Sequence, residues 1–216
     1  MAAKIGLISD VHATPAPVAE ALRRFQEEGV DTILCAGDVA GYGAELKQTV
    51  VLLESHGCRT VLGNHDLWWL ENNEPDKGDE TEEYLRRLPG VIELSIENKT
   101  IHMVHASPPG SLLQGIKLLG EDAELLTEQR AKWAEHLKNF CADVLVVGHT
   151  HQVFAERLGT TLVINPGSSA FNHSCAILRL PEMSVQVFPL LGRSVVPYWN
   201  WSEYMKRSSA RADVQT

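Results

Sequence analysis

The 216-residue sequence contains no apolar run approaching the ~20 residues that a membrane-spanning helix needs. The apolar stretch after Met1-Ala2-Ala3-Lys4 covers only about five residues, too few for the core of a secretory signal. These absences argue against a membrane partner and make the cytoplasm the expected compartment. Cysteine is scarce and scattered. Cys35, Cys58, Cys141 and Cys175 form no C-x-x-C pair and adjoin no ligand cluster, which argues against a thiolate zinc site or a disulfide framework. Positive charge is short as well: 19 Lys and Arg face 28 Asp and Glu, for a formal charge of -9. A surface that wraps a long nucleic acid needs many cationic side chains, so that partner class is disfavoured. A small anionic substrate stays compatible wherever bound metal ions supply local positive charge.

What is present is an ordinary globular composition, 44% hydrophobic and 22% charged, at a length that suits one domain. That domain is expected over residues 1–207, with a small, polar and frayed tail from Ser208 to Thr216. The first third alternates apolar runs (Ile5 to Ser9, Thr32 to Ala36, Arg59 to Leu62) with helical patterns (Ala16 to Glu28, Glu45 to His56). This alternation predicts an α/β fold with a parallel sheet. From Val91 the pattern changes to paired strands. Val91 to Ile96 and Lys99 to Val104 flank Glu97-Asn98, Phe154 to Leu158 and Thr161 to Ile164 flank Gly159, and Cys175 to Leu180 and Ser184 to Phe188 flank Pro181-Glu182. The second half is therefore expected to be built mostly from hairpins.

Three segments invite more than one reading. A helical pattern from about Glu121 to Phe140 could cap a pocket or lie as an ordinary amphipathic helix on the sheet. The acidic run through Asp79, Glu80, Glu82 and Glu83 reads as a solvated helix face, while Trp68 and Trp69 could wall a pocket or fill the core. Tyr198-Trp199-Asn200-Trp201 with Tyr204 is expected to pack on the body, with a subunit contact as the alternative, so the oligomeric state stays open.

The chemistry-bearing residues stand at the ends of the apolar runs. Successive runs deliver Asp10-Val11-His12, Gly37-Asp38-Val39-Ala40-Gly41, Gly63-Asn64-His65-Asp66, His105, and Gly148-His149-Thr150-His151. In open α/β sheets, ligands bind at the carboxyl ends of strands, so groups spread over much of the sequence can converge in one crevice. Imidazole and carboxylate donors suit Mn, Fe, Ni or Zn, whereas an all-oxygen cage would suit Mg or Ca. Asp10, His12, Asp38, Asn64, His105, His149 and His151 are too many ligands for one tetrahedral ion and suit two ions sharing a bridging carboxylate, for which Asp38 is the choice. His56, His102, His136 and His173 lack such neighbours and read as ordinary histidines.

These five blocks, in this order, resemble the motifs of the calcineurin-like metallophosphoesterases, and length and wording are most similar to the small bacterial and archaeal phosphodiesterases of that family. The resemblance implies two packed mixed β-sheets flanked by helices. It implies that Asp10, His12, Asp38 and His151 hold one divalent cation and Asp38, Asn64, His105 and His149 the other, manganese being the first expectation. It also implies a catalytic His65, acting as an acid or on the phosphate and steadied by Asp66, and hydrolysis of a small phosphate ester by a hydroxide bridging the two ions. Two departures bear on pocket shape: Ala13-Thr14 stands where many relatives have Gly-Asn, and Ala106 where Gly is common. Asn165-Pro166-Gly167-Ser168 resembles a further family segment and is expected to close a turn beside the site. The motif blocks contain no Arg, which favours a phosphodiester over the alternatives, a phosphomonoesterase or protein phosphatase, although Arg86, Arg87 and Arg130 could fold in. A non-catalytic scaffold, as in the retromer-type relatives, conflicts with an intact ligand set.

Overall fold

The computed structural model describes residues 2–73 and 78–201. Tyr204 and the tail expected from Ser208 lie outside the described residues. In chain order the elements are β1 (Ala3–Ile8), α1 (Pro15–Glu28), β2 (Thr32–Cys35), α2 (Leu46–Ser55), β3 (Arg59–Thr60), α3 (Asn64–Asn72) and α4 (Glu80–Arg86). There follow β4 (Val91–Ile96), β5 (Lys99–Val104), α5 (Thr127–His136), β6 (Val144–Val146), β7 (Val153–Leu158), β8 (Thr161–Pro166), β9 (Ser174–Leu180) and β10 (Ser184–Pro189).

The strands form two mixed five-stranded sheets, ordered β10-β9-β1-β2-β3 and β4-β5-β6-β8-β7. In the first, β1, β2 and β3 run parallel through the crossovers α1 and α2, and the β9-β10 hairpin adds antiparallel to β1. In the second, the expected hairpins β4-β5 and β7-β8 form, but β6 inserts between β5 and β8, parallel to both. The centre of this sheet is thus parallel. Local hairpin patterns give no information on which strands meet at long range, as Ile101 of β5 meets Val144 of β6.

Strand periodicity divides the core into layers. Ile5 and Leu7 of β1 face Met103, Val144, Val146 and Ile164 of the second sheet, in the layer between the sheets. Ile8, one position out of phase, packs under Val18, Leu22 and Phe25 of α1 and Leu53 of α2. Leu145 and Val147, likewise out of phase with their neighbours, pack on the far side with Ile116, Leu118 and Phe154. Both faces of each central strand are therefore covered, as their continuous apolar runs require.

Two sequence expectations are corrected. The acidic run is only partly solvated: on α4, Glu82 is 7% exposed and paired with Arg86, while Tyr84 donates to Thr60 Oγ1 at 3.0 Å and Leu85 enters the core. The helix expected over 121–140 is confined to Thr127–His136, and none of its residues is buried. Trp133 and Ala134 rest partly buried on the outer layer of the second sheet. No helix among the described residues is long and apolar enough to cross a membrane. Cys35 and Cys175 are buried, and burial pushes the Cys175 thiol up to about 12, consistent with packing rather than reactivity.

Phe25 is the largest fully buried side chain of the layer between α1 and the first sheet. Replacing it with Ala is expected to lower unfolding free energy by roughly 3–5 kcal/mol, read as a shifted urea midpoint with an unchanged slope.

Candidate metal centre

The motif residues meet because parallel neighbours end together. The loops after β1 and β2 are zipped by Asp10 N–H to Gly37 O (3.0 Å), His12 N–H to Asp38 O (3.0 Å) and Ala13 N–H to Val39 O (2.7 Å). Within the second sheet Gly148 N–H donates to His105 O at 2.7 Å, and across the two sheets the His149 N–H reaches both Asp10 carboxylate oxygens at 3.1 Å. Five of the proposed ligands, Asp10, His12, Asp38, His149 and His151, have positive φ between 46° and 65°. Non-glycine residues occupy that region at a cost, and such strain persists only where the surroundings over-determine it.

All seven sequence-predicted ligands lie in one cluster. Donor atoms of Asp10, His12 and His151 fall within 4.8 Å of one another, as do those of Asp10, Asp38 and His105, and those of His12, Asp38 and His65. Asn64 Oδ1 lies 3.0 Å from His105 Nε2 and 2.9 Å from His149 Nδ1, joining those two rings to the cluster.

The imidazoles are oriented from outside. His12 Nδ1 faces Ala40 O at 3.2 Å, His105 Nδ1 faces Ala36 O at 2.7 Å, and His149 Nε2 faces Leu113 O at 3.0 Å. A carbonyl can only accept, so each of these nitrogens carries the proton, and the other nitrogen of each ring points inward. Those inward atoms converge with two carboxylates beside the Asn64 amide, and imidazole nitrogens and carboxylate oxygens gathered in this way are the donor arrangement a divalent cation needs. The residues present fit such an ion on this ground.

Electrostatics follow from that crowding. Burial alone would raise both Asp10 and Asp38, but the rings of His151, His105 and His12 around them hold both carboxyls below the usual range. Burial would lower His105, but the Asp38 carboxylate 3.4 Å away, with Asp10 and the Ala36 carbonyl, raises it to about 9. Burial lowers His12 to about 4, and it lowers His65 and His149 as well.

The structure relocates the part expected of Asp66. Its carboxylate accepts from Ala40 N at 2.7 Å and from Gly63 N at 2.9 Å, and these amides, not the His65 ring, are its recorded partners. Asp66 at the first turn of α3 therefore clasps the Asp38 loop to the Asn64 loop. Between those loops Gly63 is irreplaceable, because a Cβ there would stand 2.1 Å from Asp38 Oδ1. His65 N–H, an open amide of the α3 N-terminus, donates to the same Asp38 oxygen at 2.9 Å. The Asn165 segment does close a turn, with Gly167 N–H donating to Asn165 Oδ1 at 2.9 Å, and it is tied to the site by Asn165 Nδ2 donating to Gly148 O and Ser168 Oγ donating to Asp10 O.

A cavity of about 330 Å³ opens over the cluster, lined by Asp38, Asn64, His65, His149 and His151 together with Tyr42, Trp68, Lys117, Thr150 and Trp201. Arg86, Arg87 and Arg130 stay outside it, paired with Glu82, Glu54 and Glu156. Sequence reasoning missed Lys117, which sits in an irregular loop without periodicity, and Tyr42, whose flanking glycines beside the Asp38 block were the available signal. It left Trp201 as a packing residue. It also missed the second-layer carbonyls, which no side-chain pattern encodes.

A two-sheet sandwich with imidazole and carboxylate donors gathered at its strand ends defines a metal-dependent hydrolase class. The model of the calcineurin-like phosphoesterase superfamily domain matches residues 3–180, and the chain belongs to that family. The uncharacterized protein MJ0912 of Methanocaldococcus jannaschii is 26% identical over 179 residues, covering 76% of this chain and 68% of that protein. The crystal structure of hypothetical protein PH1004 from Pyrococcus horikoshii superposes with TM-score 0.69 at 16% identity, over 97% of this chain and 94% of that one. A structure described as a novel archaeal phosphodiesterase gives TM-score 0.58 at 20% identity, over 87% and 99%.

A cation held through His105 Nε2, the ligand role expected of it, would displace the proton held there at neutral pH. Since the metal-free His105 pKa is about 9, apparent affinity should rise with pH up to that value and weaken as protons compete below it. Calorimetric titration of the stripped protein with Mn²⁺, in buffers of different ionisation enthalpy, should show about one proton released at pH 7.

Proposed function

We propose that this chain is a phosphodiesterase that hydrolyses a small phosphodiester at a centre of two divalent cations, manganese by preference. The observation that carries the reading is the set of imidazoles whose outward N–H groups are tied to Ala36, Ala40 and Leu113 carbonyls, while the inward nitrogens of His12 and His105 lie against Asp10 and Asp38 and that of His149 lies against the Asn64 amide. On this reading Asp10, His12, Asp38 and His151 hold one cation, and Asp38, Asn64, His105 and His149 hold the other. Such a pair supplies Lewis acidity, polarising the phosphoryl oxygens and lowering the pKa of water.

The chain's own residues do the remaining work. Asp38 serves both ion positions, and the His65 amide fixes the oxygen it turns to the cluster. His65, half-buried with its pKa lowered chiefly by burial, is neutral at pH 7 and offers an N–H to a phosphoryl or leaving oxygen. Asp66 keeps the two ligand loops in register. Lys117 extends a flexible ammonium to the cavity and holds the substrate's single negative charge. One lysine and no arginine around the cavity, among the described residues, favours a diester over a dianionic monoester. Four free thiols are compatible with the reducing cytoplasm, where we place the protein.

Stripped protein reloaded with Mn²⁺ is expected to hydrolyse bis(p-nitrophenyl) phosphate in preference to p-nitrophenyl phosphate, with Asp38→Asn lowering turnover on the order of 10²–10³-fold. Turnover of the monoester alone would transfer the centre to a phosphomonoesterase, and turnover of neither would favour a scaffold. Lys117→Ala should raise KM about fivefold and leave kcat near its original value, because its contact serves ground state and transition state alike.

A further inference from the structure

The cavity has a metal-binding floor and an aromatic rim, and the rim is not needed for the hydrolysis just described. We infer that Tyr42, Trp68 and Trp201 select phosphodiesters bearing a planar aromatic group, nucleotides being the biological class. This rests on the phosphodiesterase reading and names its substrate.

The geometry of the rim supports a receptor for a flat ring. Tyr42 and Trp68 stand on either side of His65, their ring centroids 4.7 Å and 4.9 Å from its own. Trp201 closes the third side, 5.0 Å from Tyr42 and 5.2 Å from His151. Tyr42 is 51% exposed and Trp68 44% exposed, among the few large apolar side chains that face solvent to this extent. Two exposed rings beside a polar floor, backed by the half-buried Trp201, gain most from a ligand that is flat at one end and anionic at the other.

Their placement is built in. Gly41 and Gly43 press the Tyr42 loop onto a metal ligand. A Cβ at Gly41 would lie 2.3 Å from His12 Nδ1, one at Gly43 would lie 2.4 Å from Ala13 O, and Gly43 N–H donates to His12 O at 2.8 Å. With the backbone held that close, the side chain at position 42 has only the cavity mouth to enter. Trp68 follows Asn64 by four residues on α3 and so shares its face, whereas Trp69, one residue on, turns into the core. The Trp201 segment is fastened by Val153 N–H to Pro197 O at 2.8 Å and Trp199 N–H to His151 O at 3.2 Å. A base stacked on the rim would sit beside the phosphate over the floor, with Lys117 on the cavity wall. Hydrolysis then joins water oxygen to phosphorus, breaks one ester P–O bond and passes a proton to the leaving alcohol, yielding a nucleotide monoester.

The test compares a dinucleoside monophosphate with glycerophosphoglycerol, a diester of equal charge without a ring, on the Mn²⁺-loaded enzyme. The expected result is a kcat/KM at least about tenfold higher for the dinucleoside, the ratio collapsing in Trp68→Ala and Tyr42→Ala and persisting in Trp68→Phe. A wild-type ratio near one, or a ratio unmoved by both alanine variants, would overturn the inference while leaving the phosphodiesterase intact. If neither of these diesters is hydrolysed, the phosphodiesterase reading is judged on bis(p-nitrophenyl) phosphate and a binding readout decides the rim. Quenching of tryptophan fluorescence by a nucleoside monophosphate, but not by ribose 5-phosphate, upholds it, and equal or absent quenching sinks it.

Discussion

Asp10 and Asp38 are both buried, with oxygens brought within 4.8 Å of each other around His105, and two carboxylates that close cannot both stay ionised without compensating positive charge. In the metal-free protein the compensation comes from His105, whose raised pKa reflects the neighbouring anions. On the proposed function it passes to cations in the loaded protein. Much of the fold can be understood as the means of holding that charge balance: two sheets whose strand ends meet, loops zipped in pairs, and rings aimed by carbonyls.

The loops show how such an arrangement is kept. Left-handed backbone at Asp10, His12, Asp38, His149 and His151 is unfavourable residue by residue, and it concentrates where side chains must double back towards one point. The restraint comes from main-chain bonds between loops, from the Asp66 clasp, and from the covered apolar layers on both sides of β1 and β6. A rigid platform of this kind leaves variation to the rim, where Tyr42, Trp68, Lys117 and Trp201 come from four separate segments. Substrate preference can therefore change without disturbing the ligand cluster.

The donor-bearing blocks were legible because each is local: an apolar run, a tight loop, then a polar donor. The strands of both sheets were legible for the same reason. The insertion of β6 between β5 and β8 was not, since parallel pairing leaves no turn signature between partners. Glu82 was misread because its charge outweighs, in a sequence pattern, the buried neighbours Thr81, Tyr84 and Leu85 that draw it inward. Asp66 was matched with its neighbour in sequence, His65, when its carboxylate actually spans to Ala40, twenty-six residues away.

Residue type and spacing by themselves determined that this chain builds an α/β protein with Asp, His and Asn donors at five strand ends, because strand period and donor chemistry are local properties. Only the tertiary structure decided which carbonyl orients each ring, where Asp66 turns, and which aromatic and cationic side chains surround the cavity. Those choices depend on contacts between segments far apart in the chain. Such contacts are selected by packing and charge balance rather than by any pattern a single segment carries.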